Sequence, residues 1–512
     1  MQTDVLIAGA GPTGLSLANQ LARYGVDFVI VDNREGTTPH SKAIGVQART
    51  LEIYEQIGIA DKLVERGWRA DKVRLLGGGE ARGELDLTTI GTGLSPFPFV
   101  LILEQGIHEA ILYSNLKESG HDVRWLTELR EFTQDTDGIH ASMIDVDGSE
   151  EEISAKYLVG CDGAHSTVRK TLGLKFEGST FERLFYVADV DIDWAFPHDA
   201  LHANLGDDTL TAFFPMVGDR HWRIVGTFPE GHEKDENDIL FDEIERQVKA
   251  DTSLTFDITK VYWHSVYKVH SRAVEAFAKG RCFLAGDSAH IHTPAGAQGM
   301  NTGIQDGYNL AWKLAEVLKR GATTSLLETY NEERLPNAKR LLRTTDRFFD
   351  LAASDEWFTS FIRRNIFPYV ANLAFSLDLV KEIIFPLVSQ IGINYRESSL
   401  SETIGSFDVK AGDRMPWFEI GGRSIYNGLR APAFHLLVFS DGATEVPPPP
   451  DVLLTEWRGR IDMSFNPLDE TVKEVFGCSH SFFVILRPDN YIGLISDDFS
   501  PSTIENYLAR FD

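Results

Sequence analysis

Cysteine and positive charge are both scarce in this chain. Its 512 residues include only three cysteines, Cys161, Cys282 and Cys478, with no CxxC pair and no His/Cys cluster at the spacing of metal ligands. A disulfide framework or a structural zinc site is therefore not expected. The 49 Lys and Arg residues stand against 76 Asp and Glu, a formal net charge of −27. Without a basic run to offset that charge, no nucleic-acid partner is expected.

Long uninterrupted apolar runs are also missing. The most apolar stretch, residues 367–393, is broken by Asp378, Lys381 and Glu382, and charges at mid-span are costly in a bilayer. We interpret this stretch as a packed helix and expect no membrane contact. The N-terminus enters an apolar strand at once, without the basic segment and cleavage site of a signal peptide. A cytoplasmic protein is the expectation.

The alternation of strands and helices predicts an α/β fold in four regions. Residues 1–175 open with a strand, a glycine turn, a helix and a second strand, which form a βαβ unit. Residues 176–275 are rich in aromatic strands and predict an inserted, mostly antiparallel sheet. Residues 276–395 return the chain to the first region through a helix at 300–319. Behind a linker rich in Ser, Gly and Asp, residues 400–512 predict a separate small α/β domain.

A glycine-rich turn between the first strand and the first helix gives the first chemical signal. Gly9 permits the tight turn, Gly11 lets the backbone approach a pyrophosphate, and Gly14 lets helix and strand pack closely. The helix N-terminus then faces the phosphates with its partial positive charge. Asp32, at the end of the next strand, can accept hydrogen bonds from an adenosine ribose. The turn predicts a Rossmann-like dinucleotide site, without separating NAD from FAD.

Two later segments distinguish between NAD and FAD as the expected dinucleotide. Residues 161–169 read CDGAHSTVR, and residues 280–290 read GRCFLAGDSAH and continue through Pro294 to a Gly-Met-Asn sequence at 299–301. Combined with the first turn, and in this order, they resemble the signature set of the flavin-dependent aromatic hydroxylases. This is the family of para-hydroxybenzoate hydroxylase and phenol hydroxylase. The resemblance covers roughly residues 1–390.

The resemblance implies FAD as the cofactor and suggests its contacts. Asp287 would bind the ribitol, and the Asp162-Gly163 turn is associated with both FAD and the pyridine nucleotide. Arg49 and Gln105 fall where the family places flavin-contacting side chains, although Arg49 could instead be a solvated helix arginine. The expected cofactor contacts are Gly9, Gly11, Pro12, Thr13, Gly14, Asp32, Asn33, Arg49, Gln105, Asp162, Gly163, Gly286, Asp287, Pro294, Gly299, Met300 and Asn301.

Elementary electrostatics independently supports a flavin contact in the region after Asp287. Glycines there lead into a helix, so the backbone N–H groups of Gly299, Met300 and Asn301 could point at one ligand edge. Reduced flavin is negative around N1 and the C2 carbonyl, and a helix N-terminus would stabilise that charge. The rigid ring of Pro294 suits a wall against the isoalloxazine.

His290 and His292 raise the alternative of a metal site. No carboxylate or thiol lies nearby at ligand spacing, so no metal is expected, and His290 is interpreted as a packing or hydrogen-bonding residue. Cys161 and Cys282 each precede a motif on an apolar strand. Both are interpreted as buried, inert thiols.

Substrate contacts are expected from the aromatic second region, because pockets form at domain interfaces and are lined by apolar groups. His264 or Tyr262 could hydrogen-bond or deprotonate a phenol, although neither is a certain catalytic residue. Strand alternation turns about half of the candidates away from any pocket. The candidates are Phe213, Phe214, Met216, Trp222, Tyr262, Trp263, His264 and Tyr267.

Residues 400–512 resemble the thioredoxin-like tail of phenol-hydroxylase-type and aromatic-polyketide-type members. The redox CxxC is absent, so a dithiol reaction is excluded and a structural or homodimer-forming module is predicted. Removal of the residues beyond about 400 is then expected to leave flavin binding intact.

By resemblance, the chain is an FAD-dependent monooxygenase of a phenolic or polyketide-like aromatic compound. NADPH or NADH reduces FAD, O₂ forms a flavin C4a-hydroperoxide, and its distal oxygen attacks an electron-rich ring carbon. Baeyer–Villiger oxidation, epoxidation and antibiotic inactivation on the same fold stay open, whereas the lack of a WxWxIP motif disfavours a halogenase. The alternative from another class is a non-catalytic binding protein with a flavoprotein-like fold, against which the intact Asp287 region argues.

Overall fold

The computed structural model describes residues 1–39, 43–206, 209–232, 234–292, 298–353, 385–443 and 446–511. Two predictions fall outside these ranges: the wall formed by Pro294, and residues 367–384 of the stretch interpreted as a packed helix. Within the ranges described, no helix is both long and apolar enough to cross a membrane.

The first sheet contains a parallel core. Its strands run in the order β16-β17-β10-β1-β2, with β9 and β8 added to β10 as an antiparallel extension. Parallel neighbours β1, β2, β10 and β17 are near-continuous buried apolar runs, as strands covered on both faces require. The elements up to residue 171 are β1 (Gln2–Ala8), α1 (Pro12–Arg23), β2 (Phe28–Val31), β3 (Gly45–Val46), α2 (Ala48–Gln56), α3 (Ala60–Arg66), β4 (Trp68–Ala70), β5 (Lys72–Gly77), β6 (Glu80–Asp86), β7 (Val100–Ile102), α4 (Gln105–Glu118), β8 (Thr127–Gln134), β9 (Ile139–Asp145), β10 (Glu150–Gly160) and α5 (Thr167–Thr171).

The second sheet has eight strands in the order β18-β15-β11-β14-β13-β12-β5-β6. All neighbours in it are antiparallel except β12 and β5. One face packs against α6, and β3, β4 and β7 form a small sheet of their own beside the first. The elements of the middle of the chain are β11 (Phe176–Asp193), β12 (Leu201–Leu205), β13 (Leu210–Pro215), β14 (His221–Thr227), α6 (Phe241–Thr252), β15 (Asp257–Val274), β16 (Ala278–Lys279), β17 (Cys282–Leu284), β18 (His290–Ile291), α7 (Gly299–Arg320) and α8 (Glu328–Ala353).

The third sheet belongs to the last part of the chain and has the strand order β19-β25-β24-β22-β23. Strands β22 and β23 are parallel, whereas β24 is antiparallel to both β22 and β25. Its elements are β19 (Glu402–Ile404), β20 (Glu419–Ile420), β21 (Arg423–Ser424), β22 (Phe434–Ser440), α9 (Asp451–Leu454), β23 (Ile461–Pro467), α10 (Glu470–Phe476), β24 (Phe482–Leu486), β25 (Ile492–Ser496) and α11 (Pro501–Leu508). The predicted mixed α/β class is confirmed, and the division into domains stays a prediction.

Candidate cofactor site

Three turns meet at the carboxyl edge of the parallel core. Strands β1, β10 and β17 are neighbours, so the segments that follow them lie side by side. The amide of Cys161 donates to the Ala8 carbonyl at 2.7 Å, and the amide of Ala285 donates to the Gly160 carbonyl at 3.0 Å. The sheet therefore brings together the three motifs that the sequence separates by more than a hundred residues.

The glycines of the first turn have different physical roles. Gly9 has φ +100°, and a Cβ there would lie 2.3 Å from the Cys161 carbonyl oxygen. A Cβ on Gly14 would lie 1.9 Å from the Gly9 carbonyl oxygen. A Cβ on Gly11 would have no atom within 4 Å. Gly9 and Gly14 thus permit close packing, whereas Gly11 leaves open space at the start of α1.

The start of α1 is prepared for a negatively charged group. Pro12 is its first residue, and no side chain caps it. The helix dipole adds partial positive charge at this end. Uncapped N–H groups and open space at Gly11 fit the pyrophosphate of a dinucleotide, so this part of the site fits the predicted cofactor.

Asp32 stands at the end of β2 with its carboxylate already ordered. Its Oδ2 accepts from the Ala10 amide at 2.7 Å, and its Oδ1 accepts from the Arg34 amide and Nε at 2.9 and 3.0 Å. The neighbouring Asn33 is exposed. The carboxylate is therefore fixed beside the first turn, at the position predicted to receive the ribose.

The third turn is locked onto the first by small residues. A Cβ on Gly286 or on Gly303 would lie 2.5 or 2.4 Å from Thr13 Oγ1. Gly286 has φ +63°, and Ser288, which follows the exposed Asp287, is buried. The tight packing of these backbones presents Asp287 at the open edge of the site.

The second turn leaves one buried oxygen unused. Asp162 Oδ2 accepts from the Val168 amide at 3.1 Å, whereas Oδ1 is buried without a partner among the described residues. Gly163 follows with φ +75°. Burial raises the pKa of Asp162. An unpartnered buried acceptor beside the first turn fits a site that a ligand completes.

The N-terminus of α7 is joined to β3 through one side chain. No side chain caps α7, and Gly299 and Met300 are half-buried in its first turn. Asn301 is fully buried: its Oδ1 accepts from the Gln47 amide at 2.9 Å and from Thr50 Oγ1 at 2.7 Å, and its Nδ2 donates to the Gly45 carbonyl at 2.8 Å. The side chain of Asn301 thus has a structural role in fixing the helix start.

Arg49 is buried within α2, whereas Gln105 lies at the start of α4. The Arg49 side chain is buried; it pairs with Glu52 at 3.1 Å and donates to the Asp489 carbonyl at 3.0 Å. It is therefore not a solvated helix arginine, and it joins α2 to the turn between β24 and β25. Gln105 begins α4, donates to Glu109 and accepts from the Ala43 amide. Flavin contact by either residue stays a prediction.

A row of four residues crosses the second sheet on the face opposite α6. Phe214 opposes Arg223, Arg223 opposes Asp189, and Asp189 opposes Trp263, so all four share one face. Arg223 Nε and Nη2 reach Asp189 at 2.6 and 2.7 Å, and both residues are buried. Phe214 packs with Met216 and with Ile44 next to β3. We call these four residues the cleft row.

The other substrate candidates lie elsewhere. Phe213 and Trp222 are in the cluster that packs against α6. The His264 ring lies beside that of Phe241 in the same helix, with the two rings tilted. Tyr262 is 49% exposed, and its hydroxyl donates to Asp191. Of the five candidates Phe213, Met216, Trp222, Tyr262 and His264, only Met216 packs against the cleft row. Of the other three named, Phe214 and Trp263 belong to the row, and Tyr267 stacks on Phe185 of the same face.

The histidines and cysteines have ordinary surroundings. No group of three potential metal ligands occurs among the residues described. His290 donates to a buried carboxylate, that of Asp306, at 2.6 Å. Cys161 and Cys282 are buried, and burial raises the pKa of each thiol.

A family model described as an FAD binding domain matches residues 2–345. The chain belongs to this family. A flavin-dependent monooxygenase of Mycobacteroides abscessus is 33% identical over 521 residues, 99% of each chain. The 6-methylpretetramide 4-monooxygenase of Streptomyces rimosus is 33% identical over 530 residues, 96% of this chain and 90% of that one. Among solved structures, the anhydrotetracycline hydroxylase OxyS of Streptomyces rimosus is similar with a TM-score of 0.78 at 27% identity, covering 100% of this chain and 99% of that one.

Family membership confirms the resemblance drawn from the motifs and FAD as the cofactor. The individual contacts with FAD stay predictions. The sequence analysis missed the buried charges Asp306, Lys313, Glu333 and Arg334 on α7 and α8. The signal that could have found them is a charged residue at an apolar position of a helical pattern, where an unpaired charge is not tolerated.

Proposed function

We propose that this chain is an FAD-dependent, NAD(P)H-consuming monooxygenase that hydroxylates a phenolic or polyketide-like aromatic compound. The proposal rests on the carboxyl edge of the parallel core, where the three turns meet and leave open space at Gly11. The chain is also related over its whole length to named monooxygenases. When bound, FAD supplies the redox and oxygen-activating chemistry. The first turn would hold the pyrophosphate, Asp32 the ribose and Asp287 the ribitol.

The cleft row supports an aromatic substrate. Phe214 and Trp263 provide flat apolar surfaces on either side of the Asp189–Arg223 pair. The pair is internally neutral, so it favours a neutral, polar-substituted ring over a free anion. The row is continuous with the flavin side, because Ile44 packs with Phe214 and its neighbour Gly45 accepts a hydrogen bond from Asn301.

We also propose that residues 400–512 form a thioredoxin-like module. The order β23-β22-β24-β25, with the first pair parallel and the others antiparallel, supports this assignment. Without a CxxC pair the module has no dithiol chemistry. A dimer-forming role for it stays a prediction.

The test is anaerobic flavin reduction. We expect a yellow purified protein whose flavin is bleached by NADPH or NADH, and faster when one member of a panel of phenols and polyketide aromatics is added. Product analysis in air should then show one oxygen atom added to a ring carbon. A ring-expanded product would indicate Baeyer–Villiger oxidation, and an epoxide would indicate epoxidation, in place of hydroxylation. Absence of bound flavin would contradict the proposal.

A pair of neighbouring residues on β15 tests the substrate face. We expect Trp263→Leu to raise KM for the aromatic substrate about fivefold, because it removes one stacking surface of the cleft row, worth about 1 kcal/mol. Steady-state kinetics measures the effect. Tyr262→Leu is the matched control: this side chain is outside the row, and its loss should change KM less than twofold. A larger effect of the Tyr262 variant would move the substrate along the same face of the sheet, from the row toward Asp191 and His221.

A further inference from the structure

One carboxylate organises the third turn from inside α7. Asp306 is fully buried, and its Oδ2 accepts from the Gly286 amide at 2.9 Å and from His290 Nε2 at 2.6 Å. Its Oδ1 accepts from Arg334 Nε at 2.7 Å. The residues on either side of Asp287 are thus held by a single side chain that belongs to none of the sequence motifs.

The charges and hydrogen bonds in this cluster determine the tautomer of His290. Burial alone would raise the pKa of Asp306, but Arg334, His290 and the Gly286 amide together outweigh burial and lower it to about 2. Arg334 already neutralises the carboxylate. A second cation on His290 would remain in the core without a counter-ion, which is costly. The carboxylate of Asp306 can only accept, so a singly protonated His290 ring has its proton on Nε2, and its Nδ1 is an acceptor.

That assignment sets the tautomer of His292. His292 Nε2 lies 2.7 Å from His290 Nδ1. Since His290 Nδ1 has no proton, His292 must donate from Nε2, and its own Nδ1 carries a lone pair. This Nδ1 is buried and has no partner among the described residues. Burial holds the pKa of His292 well below its usual range, consistent with a neutral ring.

An acceptor that is buried and unpartnered is unfavourable unless a ligand completes it. His292 is five residues beyond the exposed Asp287 and seven before the start of α7 at Gly299, between two predicted FAD contacts. Bound flavin offers ribityl hydroxyls and a ring N–H as donors. A donor group of bound substrate is the alternative partner for this nitrogen, and the test below separates the two ligands.

We propose that His292 Nδ1 accepts a hydrogen bond from a hydroxyl or N–H group of bound FAD, and that Asp306, acting through His290, is the residue that positions it. The inference goes beyond the assignment of FAD as cofactor. It names one further contact residue, His292, and one positioning residue, Asp306.

Two substitutions at one position separate contact from positioning. In His292→Gln the amide NH₂ reaches the place of Nε2, so the bond to His290 is kept and the Nδ1 acceptor is lost. In His292→Asn the amide oxygen takes the place of Nδ1, so the acceptor is kept and the bond to His290 is lost. Apoprotein is titrated with FAD by flavin fluorescence, and its Tm is recorded separately.

We expect the FAD Kd of His292→Gln to rise about tenfold with an unchanged apoprotein Tm, since one hydrogen bond to the ligand is lost. We expect His292→Asn to keep the Kd within about threefold and to lower the apoprotein Tm. The absorption maximum of bound flavin should shift only in the Gln variant. A wild-type Kd and spectrum in His292→Gln would overturn the proposal, as would equal weakening in both variants. A change in substrate KM alone would assign the acceptor to substrate and overturn the contact with FAD.

Asp306→Asn tests the positioning role. The Asn side chain keeps the shape but loses the charge that orders His290, and we expect weaker FAD binding together with the spectral shift seen for His292→Gln. A folded Asp306→Asn protein with wild-type Kd and spectrum would contradict the positioning role. If the unpaired Arg334 prevents folding, Asp306→Asn with Arg334→Gln removes both charges and gives the same readout. Failure of wild-type protein to bind FAD would contradict the cofactor itself, a result distinct from all of these.

Discussion

Gly11→Val is expected to yield a folded protein that no longer retains FAD. Gly11 has φ −72° and ψ −174°, a conformation that any residue adopts, and a Cβ there would have no neighbour within 4 Å. The apoprotein should therefore be as stable as wild type. The valine methyl groups would occupy the space through which the pyrophosphate approaches the N-terminus of α1. We expect the FAD Kd to rise at least a hundredfold, about 3 kcal/mol, measured by titration of apoprotein.

The matched control is Gly428→Val. Gly428 also has free space around its Cβ position and no positive φ, but it lies in the last part of the chain. Its FAD Kd should equal that of wild type. Gly14→Ala gives the opposite contrast, because its Cβ would lie 1.9 Å from the Gly9 carbonyl oxygen and should destabilise the apoprotein itself. Retention of FAD by a folded Gly11→Val protein would place the pyrophosphate away from α1.

Local signals predicted the cofactor side of the molecule well. The strand, glycine turn, helix and Asp32 are adjacent in sequence, and each has one physical reason to be there. The joining of the three motifs was predictable only through the family resemblance, because parallel pairing of β1, β10 and β17 is a long-range event that no local pattern records.

The substrate side shows where local patterns fail. Alternation along β15 states that Trp263 and His264 face opposite ways, but not which face is the cleft. The bulge near Asp189, where Val190 pairs with Val261, changes the register further. Only the position of α6 on one face decides that Phe213 and Trp222 point away from the cleft row.

The last part of the chain is more closely joined to the FAD side than its linker composition predicts. Arg487 pairs with Glu333 of α8, and Trp312 of α7 donates to Asp489 at 3.0 Å. Trp312 also belongs to the apolar cluster around β22 and α11. Removal of the residues beyond 400 would expose this cluster and take the Arg487 guanidinium away from the buried Glu333. The expectation that such a truncation keeps flavin binding intact is therefore replaced by loss of the folded protein.

Arg487→Met is expected to lower the stability of the whole protein by about 3–5 kcal/mol, the usual effect of breaking a buried ion pair. Arg487 is fully buried, and its guanidinium reaches Glu333 at 2.5 and 3.1 Å and Asp489 at 2.5 and 3.1 Å. Methionine fills similar space but removes the guanidinium that both buried carboxylates share. Glu333 then keeps Lys313, Asn309 and Ser398 as donors, and Asp489 keeps the Trp312 N–H group and the Tyr491 amide. Thermal unfolding followed by circular dichroism and by flavin release measures the change.

Lys473→Met is the control, because Lys473 forms an exposed pair with Glu470 within α10, and its loss should change stability by less than about 1 kcal/mol. The pH dependence gives a second readout. Burial alone would raise the pKa of Glu333, but Arg487 and Lys313 outweigh burial and hold it well below its usual range. A carboxylate with a depressed folded pKa stabilises the protein above its unfolded pKa, and this contribution disappears as pH falls toward the folded value. Without Arg487 the folded pKa moves up, so acid unfolding should begin at higher pH in Arg487→Met than in Lys473→Met. Equal acid midpoints would mean that the Glu333 carboxylate is sustained without Arg487.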